Sequence, residues 1–417
     1  MRVSTAQFYL QSSQQMSSKT SDVNEQMAYL TSGKRVLTAK DDAVSYGTLA
    51  GYKDDLANIE KYKRNITKAE SHNNLQEVAF TQLEVILNNI KDQMLQANNG
   101  AMSDEDLQAI AKQTRNNLEQ LFDIANSQNE NGDYIFSGYQ TEQQPFSQQT
   151  DGSVSYSGDS GVREVQIAKN IKIPTSQAGD AVFMNVDNAI GDFIANDTSN
   201  ATNPASPLDV TIASANITDR NAYNTSVTPH TFNFDAITND LTVTDGGGTV
   251  VFPVPSVPPA PPVLPAPYVA GQTVSFDGID VTLSGNPLPG DSFTINEQEN
   301  VSIFETINNA ITWMEQGTGN TNQEQHQVNY NKILDQLSSG MSHVTSRRVD
   351  AGVRLQVLES QKSRHLDSAL NIETGKSTIE DLDFAKAISQ FEQAKIALQA
   401  SQQAFSKVQG LSLLNYI

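Results

Sequence analysis

FAKAISQFEQAKIALQASQQAFSKV, residues 384–408, sets Phe384, Phe391, Leu398 and Phe405 seven residues apart, with Ala387, Ala394, Ser401 and Val408 three places after each. That alternation of three- and four-residue steps is the seam of a coiled coil. The opposite end of the chain repeats it more weakly: Tyr9, Met16, Val23 and Leu30 recur by seven, interleaved with Ala6, Ser13, Thr20 and Met27. With Ser13 and Thr20 at core positions, the first helix is marginal alone and gains order from a partner. Apolar side chains continue through LSLLNYI (411–417), whereas free termini are normally polar and frayed. Two ends written for helix pairing mark a building block. The assembly interface is therefore expected at Tyr9, Met16, Val23, Met27, Leu30, Phe384, Phe391, Leu398, Phe405, Val408, Leu411 and Leu414.

Inward from the ends, helical periodicity continues. The first helix is predicted from about residue 5 to Ser32, stopped by a left-handed Gly33. Asp41 or Asp42 caps a second helix that runs to about Ala97, with Phe80, Leu83, Leu87, Ile90 and Met94 on its buried stripe. Ser103 and Asp106 form a capping box for a third, which carries on towards Asn131-Gly132. Helix returns near Ile303. From Tyr330 to Ile372 the seam positions are Tyr330, Leu334, Leu337, Met341, Val344, Arg348, Ala351, Leu355, Leu358, Lys362, His365, Ala369 and Ile372, ten of thirteen apolar. The spacing predicts that Gly375 ends this helix and that Ser377 with Glu380 caps the last one.

Between the helices the pattern changes to short alternating strands. They are expected from Tyr134 to about Phe183, VREVQIAKNIKIP (162–174) among them, and again after residue 270, with turns at Asp277-Gly278, Ser284-Gly285 and Pro289-Gly290. PVPSVPPAPPVLPAP (253–267) holds eight of the fifteen prolines and reads as a polyproline II spacer. The fold class that results is α+β and multidomain, with helical N- and C-termini forming a long coiled-coil bundle around an inserted β-rich region. The expected division is 1–40 with 377–417 as a terminal coiled coil, disordered in the free monomer; 41–133 with 301–376 as a central helical bundle; and 134–300 as a β-rich outer region with an insert at 184–270.

Composition narrows the function. The net charge of −21 argues against a nucleic-acid partner, since no basic field offsets phosphate repulsion. Residues 173–331 hold 17 acids and one base, Arg220, so the acidic surplus is concentrated there. There is no cysteine, which excludes disulfides and thiolate chemistry. No apolar run approaches a membrane span, and the start MRVSTAQFYLQSSQQM lacks the charged and apolar regions of a secretory signal. The five histidines show no metal-ligand spacing, no catalytic motif is present, and neighbouring acids such as Asp41-Asp42 and Glu380-Asp381 read as helix caps. No cofactor, metal or catalytic residue is expected.

Two stretches carry a family resemblance. LTSGKRVLTAKDDA (30–43) resembles the N-terminal signature of bacterial flagellins and their hook-junction relatives, and IEDLDFAKAISQFEQAKIALQASQQAFSKVQGLSLLNYI (379–417) resembles the matching C-terminal end. RVSTAQFYLQSSQQM, NGDYIFSGYQTEQQPF (131–146) and GIDVTLSGNPLPGDSFTI (278–295) resemble the hook-junction branch, and the Ile-Asn-Thr-Asn opening of flagellins is missing. Residues 184–270 match no pattern of the family. The resemblance implies a structural, non-enzymatic protein at the hook–filament junction, outside the cell, exported through the flagellar type III apparatus without a cleaved signal peptide. Its implied partners are hook-associated protein 1, flagellin, identical subunits in a ring, and an export chaperone. Two alternatives remain at this point: a divergent flagellin, and an extracellular enzyme, adhesin or glycan-binding protein with residues 184–300 as its active part.

Overall fold

The computed structural model describes residues 2–150, 152–198, 210–223, 225–253, 266–317 and 323–410. The helices are α1 (Arg2–Ser32), α2 (Ala43–Ala97), α3 (Asp104–Ala125), α4 (Ile303–Gln316), α5 (Gln323–Glu380) and α6 (Phe384–Gly410). The chain divides into two compact units, and α2 and α5 each contribute to both.

The first unit holds residues 1–66, 167–169 and 359–417. Here α1 lies against α6, and Leu49, Ile59 and Ile66 are buried along α2. Polar seam positions have partners of their own. His365 of α5 is buried, stacks on Tyr62 at 5.6 Å, and shares a 2.6 Å hydrogen bond through Nε2 with the Ile167 carbonyl. Two expectations fail at the end of α5. The helix runs through Gly375, because that glycine serves packing: a Cβ there would sit 3.0 Å from the Tyr52 hydroxyl. Ser377 turns to the Asp381 carboxylate, so Ser377 and Glu380 do not cap α6. The break falls at 381–383, and Asp383 caps α6 by accepting the Lys386 N–H at 3.1 Å.

The second unit holds 67–166 and 170–358 and has two cores. The first is helical. Phe80, Leu83, Leu87, Ile90 and Met94 of α2 are buried with Leu107, Leu118 and Leu121 of α3, Ile307 and Trp313 of α4, and Leu337, Val344 and Ala351 of α5. The one charged seam position of α5 here, Arg348, reaches the Glu84 carboxylate of α2. The Ser103–Asp106 capping box opens α3 as its sequence predicts. That helix ends at Ala125 rather than near Asn131, because Asn129 Oδ1 accepts the N–H groups of Asn131 and Asp133 and diverts the backbone into a turn. Strands do not reach Phe183: residues Asp180–Met184 form one π-helical turn. It places Phe183 beside Phe136, Phe146 and Phe304, at ring distances of 5.2, 5.2 and 5.7 Å.

Short hairpins join β1 (Phe146–Gln148) to β2 (Val154–Tyr156) and β3 (Glu164–Ala168) to β4 (Ile171–Pro174), and β5 (Val186–Asp187) pairs with β15 (Asn300–Val301). The second core is a β-sandwich. One sheet has β6 (Phe193–Thr198), β8 (His230–Phe234), β9 (Asp240–Thr244), β10 (Val250–Phe252) and β14 (Ser292–Glu297) in the order β10-β9-β8-β14-β6, with β11 (Ala266–Pro267) on β9. The other is β12 (Thr273–Phe276), β13 (Ile279–Gly285) and β7 (Val210–Ile217). Alternate residues face inward, and Phe232 stacks on Phe293 at 4.7 Å and meets Phe276 of the opposite sheet at 5.7 Å. Asp277 and Gly278 both take positive φ, as a two-residue hairpin turn requires. Of the polyproline spacer, residues 254–265 lie outside the described residues.

His230 is the exception in this apolar core. It is fully buried, neither ring nitrogen has a hydrogen-bond partner, and the nearest carboxylate, Asp277, is 3.8 Å from Nε2. Burial pushes its pKa down, against the opposing pull of Asp277 and Asp245. Below about pH 6.5 the unfolded chain takes up a proton that the folded ring resists, so sandwich stability is full above that pH and falls as the pH drops towards the folded pKa. Thermal unfolding followed between pH 7.5 and 5 should show that loss, and His230→Leu should flatten the profile.

Candidate functional site: the paired chain ends

The residues of LTSGKRVLTAKDDA divide the work of one joint. Gly33 ends α1 at φ +65°, a conformation that glycine adopts without strain. Lys34 pairs with Asp381 as an isolated antiparallel bridge: the Arg35 N–H donates to the Glu380 carbonyl at 2.7 Å, and the Leu382 N–H to the Gly33 carbonyl at 3.1 Å. Arg35 donates from both Nε and Nη2 to the Ile379 carbonyl in the last turn of α5, where helix carbonyls need donors. Val36 is buried. Asp41 accepts from the Leu37 and Thr38 amides, which hold its carboxyl below the usual range. Tyr29, desolvated and beside Asp41, is pushed up to about 12. Asp42 accepts the Ser45 N–H and so opens α2.

At the centre lies buried Glu380, with Lys34 Nζ at 2.6 Å, Lys376 Nζ at 3.6 Å and Lys53 Nζ at 3.8 Å. The hydrogen bond from Lys34 is the main reason its pKa is lowered. Stabilisation from this group is present above the ordinary glutamate pKa and is lost as the pH falls through the lowered folded value. Glu380→Gln leaves three lysines without a common partner. Because those lysines are part-exposed and can rehydrate, the expected loss is about 1–2 kcal/mol. It should appear as a lower denaturant midpoint and faster amide exchange at Arg35 and Leu382.

Beyond the joint, α1 and α6 run antiparallel. Tyr9 meets Phe405 edge-on with ring centroids 6.1 Å apart, and the Phe384 ring lies 3.5 Å from where a Cβ on Gly33 would stand. Seven-residue steps from Tyr9–Phe405 bring Met16 level with Leu398, Val23 with Phe391 and Leu30 with Phe384. Tyr9, Met16, Val23, Leu30, Phe391, Leu398 and Phe405 are all half-buried, and Ala387 is buried. The interleaved half-buried positions of α1 are Ser12, Lys19 and Gln26, not Ser13, Thr20 and Met27. Either set is mostly polar, so hydropathy gives little to choose between them; the approach of α6 decides. Met27 and Phe384 are more than half exposed, as are Leu10, Ile388 and Ile396. Those last three lie off the seam, where a heptad count does not look. The Val408 side chain, Leu411 and Leu414 lie outside the described residues.

Among the described residues, no three His, Asp or Glu side chains gather as a metal site, and no helix is long and apolar enough to cross a membrane. Joined helical termini with a β-sandwich inserted between them make this a structural protein that presents helix surfaces. The bacterial flagellin N-terminal helical region matches residues 3–141, and the bacterial flagellin C-terminal helical region matches residues 334–417. The chain therefore belongs to the bacterial flagellin family, and its role is a structural one in the flagellum. The chain is 22% identical to the flagellar hook-associated protein 3 of Escherichia coli K12, over 99% of this chain and 98% of that one. The crystal structure of the flagellar junction protein FlgL from Legionella pneumophila superposes with a TM-score of 0.65 at 27% identity, covering 80% of this chain and all of that one. FlgL of Xanthomonas campestris shares the fold, with a TM-score of 0.62 at 21% identity over 78% and 99% of the two chains.

Proposed function

We propose that this protein forms the junction between the flagellar hook and the flagellin filament, seated on hook-associated protein 1 and receiving flagellin above. The observation that carries this reading is the half-buried seam of α1 and α6 together with its exposed apolar flank. Burying a large apolar side chain completely contributes about 1.5–3 kcal/mol, and half-burial in one chain leaves much of that unrealised. Neighbouring subunits in a ring complete the burial, and the residues in question are Tyr9, Met16, Val23, Met27, Leu30, Phe384, Phe391, Leu398 and Phe405, continued by Val408, Leu411 and Leu414. Residues 1–40 and 377–417 order fully only on assembly, since pairing one marginal helix with one other offsets little of its conformational entropy. Weakly folded ends also suit export through the flagellar type III apparatus with a chaperone, to a site outside the cell. The work is mechanical and needs no catalytic centre.

Seeded assembly tests the proposal. Purified protein is added to isolated hooks bearing hook-associated protein 1, then flagellin, and the product is viewed by electron microscopy. A short, self-limited addition that permits filament growth is the expected result. Long filaments from this chain alone would make it a filament subunit, and failure to bind hooks would overturn the junction role.

A further inference from the structure

Among the described residues, three chain reversals at one end of the β-sandwich each display an aliphatic side chain. They are Ile237 between β8 and β9, Val269 between β11 and β12, and Leu288 between β13 and β14, exposed by 91%, 59% and 43%. The register places them together. Pro267 pairs with Asp240 at the start of β9, Ser292 of β14 pairs with Asn233 near the end of β8, and the Gly271 N–H donates to the Leu283 carbonyl at 2.8 Å. Asn239 Nδ2 donates to the Pro287 carbonyl at 2.8 Å, tying the first reversal to the third. Single exposed aliphatics are ordinary; three on adjoining loops form a patch.

The loops are also held. Asp235 Oδ1 accepts the N–H groups of Ile237 at 2.8 Å and Thr238 at 2.9 Å, while buried Asp291 accepts the Leu288 N–H at 2.7 Å. The Tyr268 hydroxyl, one residue before Val269, donates to the Gly285 carbonyl at 3.0 Å. A side chain displayed on a fixed turn loses little freedom on binding, which favours affinity. The surroundings carry one sign of charge. Asp235 and Asp240 flank the patch, and the single base among residues 173–331, Arg220, is at the other end of the sandwich, 3.1 Å from Glu299.

We propose that this end of the sandwich docks a protein surface with an apolar centre and a lysine- or arginine-rich rim, with Ile237 leading. Like charge disfavours a second copy of this chain and an anionic membrane alike. Charge complementarity favours a cationic partner and quickens its approach.

The test uses the whole chain and three peptides of equal length: lysine interleaved with leucine and phenylalanine, the same with glutamate for lysine, and lysine interleaved with serine. Only the basic–apolar peptide should bind saturably. Its affinity should fall at least about tenfold in I237S and in V269S, with thermal unfolding unchanged because those two side chains are mostly exposed. Equal binding by the variants, or by the lysine–serine peptide, would overturn the proposal. So would variant-sensitive binding to phosphatidylcholine vesicles with none to the peptide, or self-association that the variants abolish.

Discussion

Phe405→Asp is expected to abolish assembly while leaving the helices of the second unit folded. Phe405 is half-buried and meets Tyr9 edge-on, so the substitution removes roughly 1 kcal/mol of burial and the aromatic contact. It also places a carboxylate where neighbouring chains would have to desolvate it, at a cost of several kcal/mol. Phe391→Asp, level with Val23, should behave in the same way. Seeded assembly on hooks reads the first effect. Circular dichroism and denaturant unfolding of the monomer read the second, and should show nearly unchanged helix content. Normal assembly of either variant would refute the terminal-seam account.

Phe304→Ala should produce the largest loss of monomer stability, about 3–5 kcal/mol. The ring is 1% exposed at the start of α4 and touches Phe122 of α3, Phe146 of β1 and Phe183 of the π-helical turn, at centroid distances of 6.3, 5.3 and 5.7 Å. No single neighbour can collapse into the space, because each is fixed by further packing. Domains are stable by only about 5–15 kcal/mol, so the variant should unfold at a much lower urea concentration. Phe304→Leu, which keeps most of the volume, should cost markedly less. Equal midpoints for the two would mean that the site relaxes freely and is no hub.

The long α5 was legible in advance because its seam repeats locally: every position from Tyr330 to Ile372 in the predicted set is buried or half-buried. Its end was not legible. Gly375 and Ser377 look like a stop and a cap to a reader of neighbours, but a tyrosine 323 residues earlier and a carboxylate four residues later decide their roles. The interleaved positions of α1, expected at Ser13, Thr20 and Met27, fall one residue earlier for a related reason. Ser12 and Ser13, and Lys19 and Thr20, give hydropathy little to choose between, and at 26–27 it favours Met27 although Gln26 is the half-buried one; only the approach of α6 separates them.

By itself the sequence determined what depends on near neighbours: the heptad steps, the left-handed Gly33, the Ser103 capping box, the Asp277-Gly278 hairpin, and the two signatures that mark the family. Those signals survive in one dimension because a helix or tight turn is made by residues within a few places of one another. That the two ends pair was expected from their seams; the tertiary structure alone decided the joint by which the two signatures meet. Lys34 and Glu380 stand 346 residues apart and close to 2.6 Å, and no periodicity in either segment encodes that distance. It likewise decided that residues around 190–300 form a sandwich with a buried, unpartnered His230 and a clamped apolar tip, since strand order is set by which faces exclude water together.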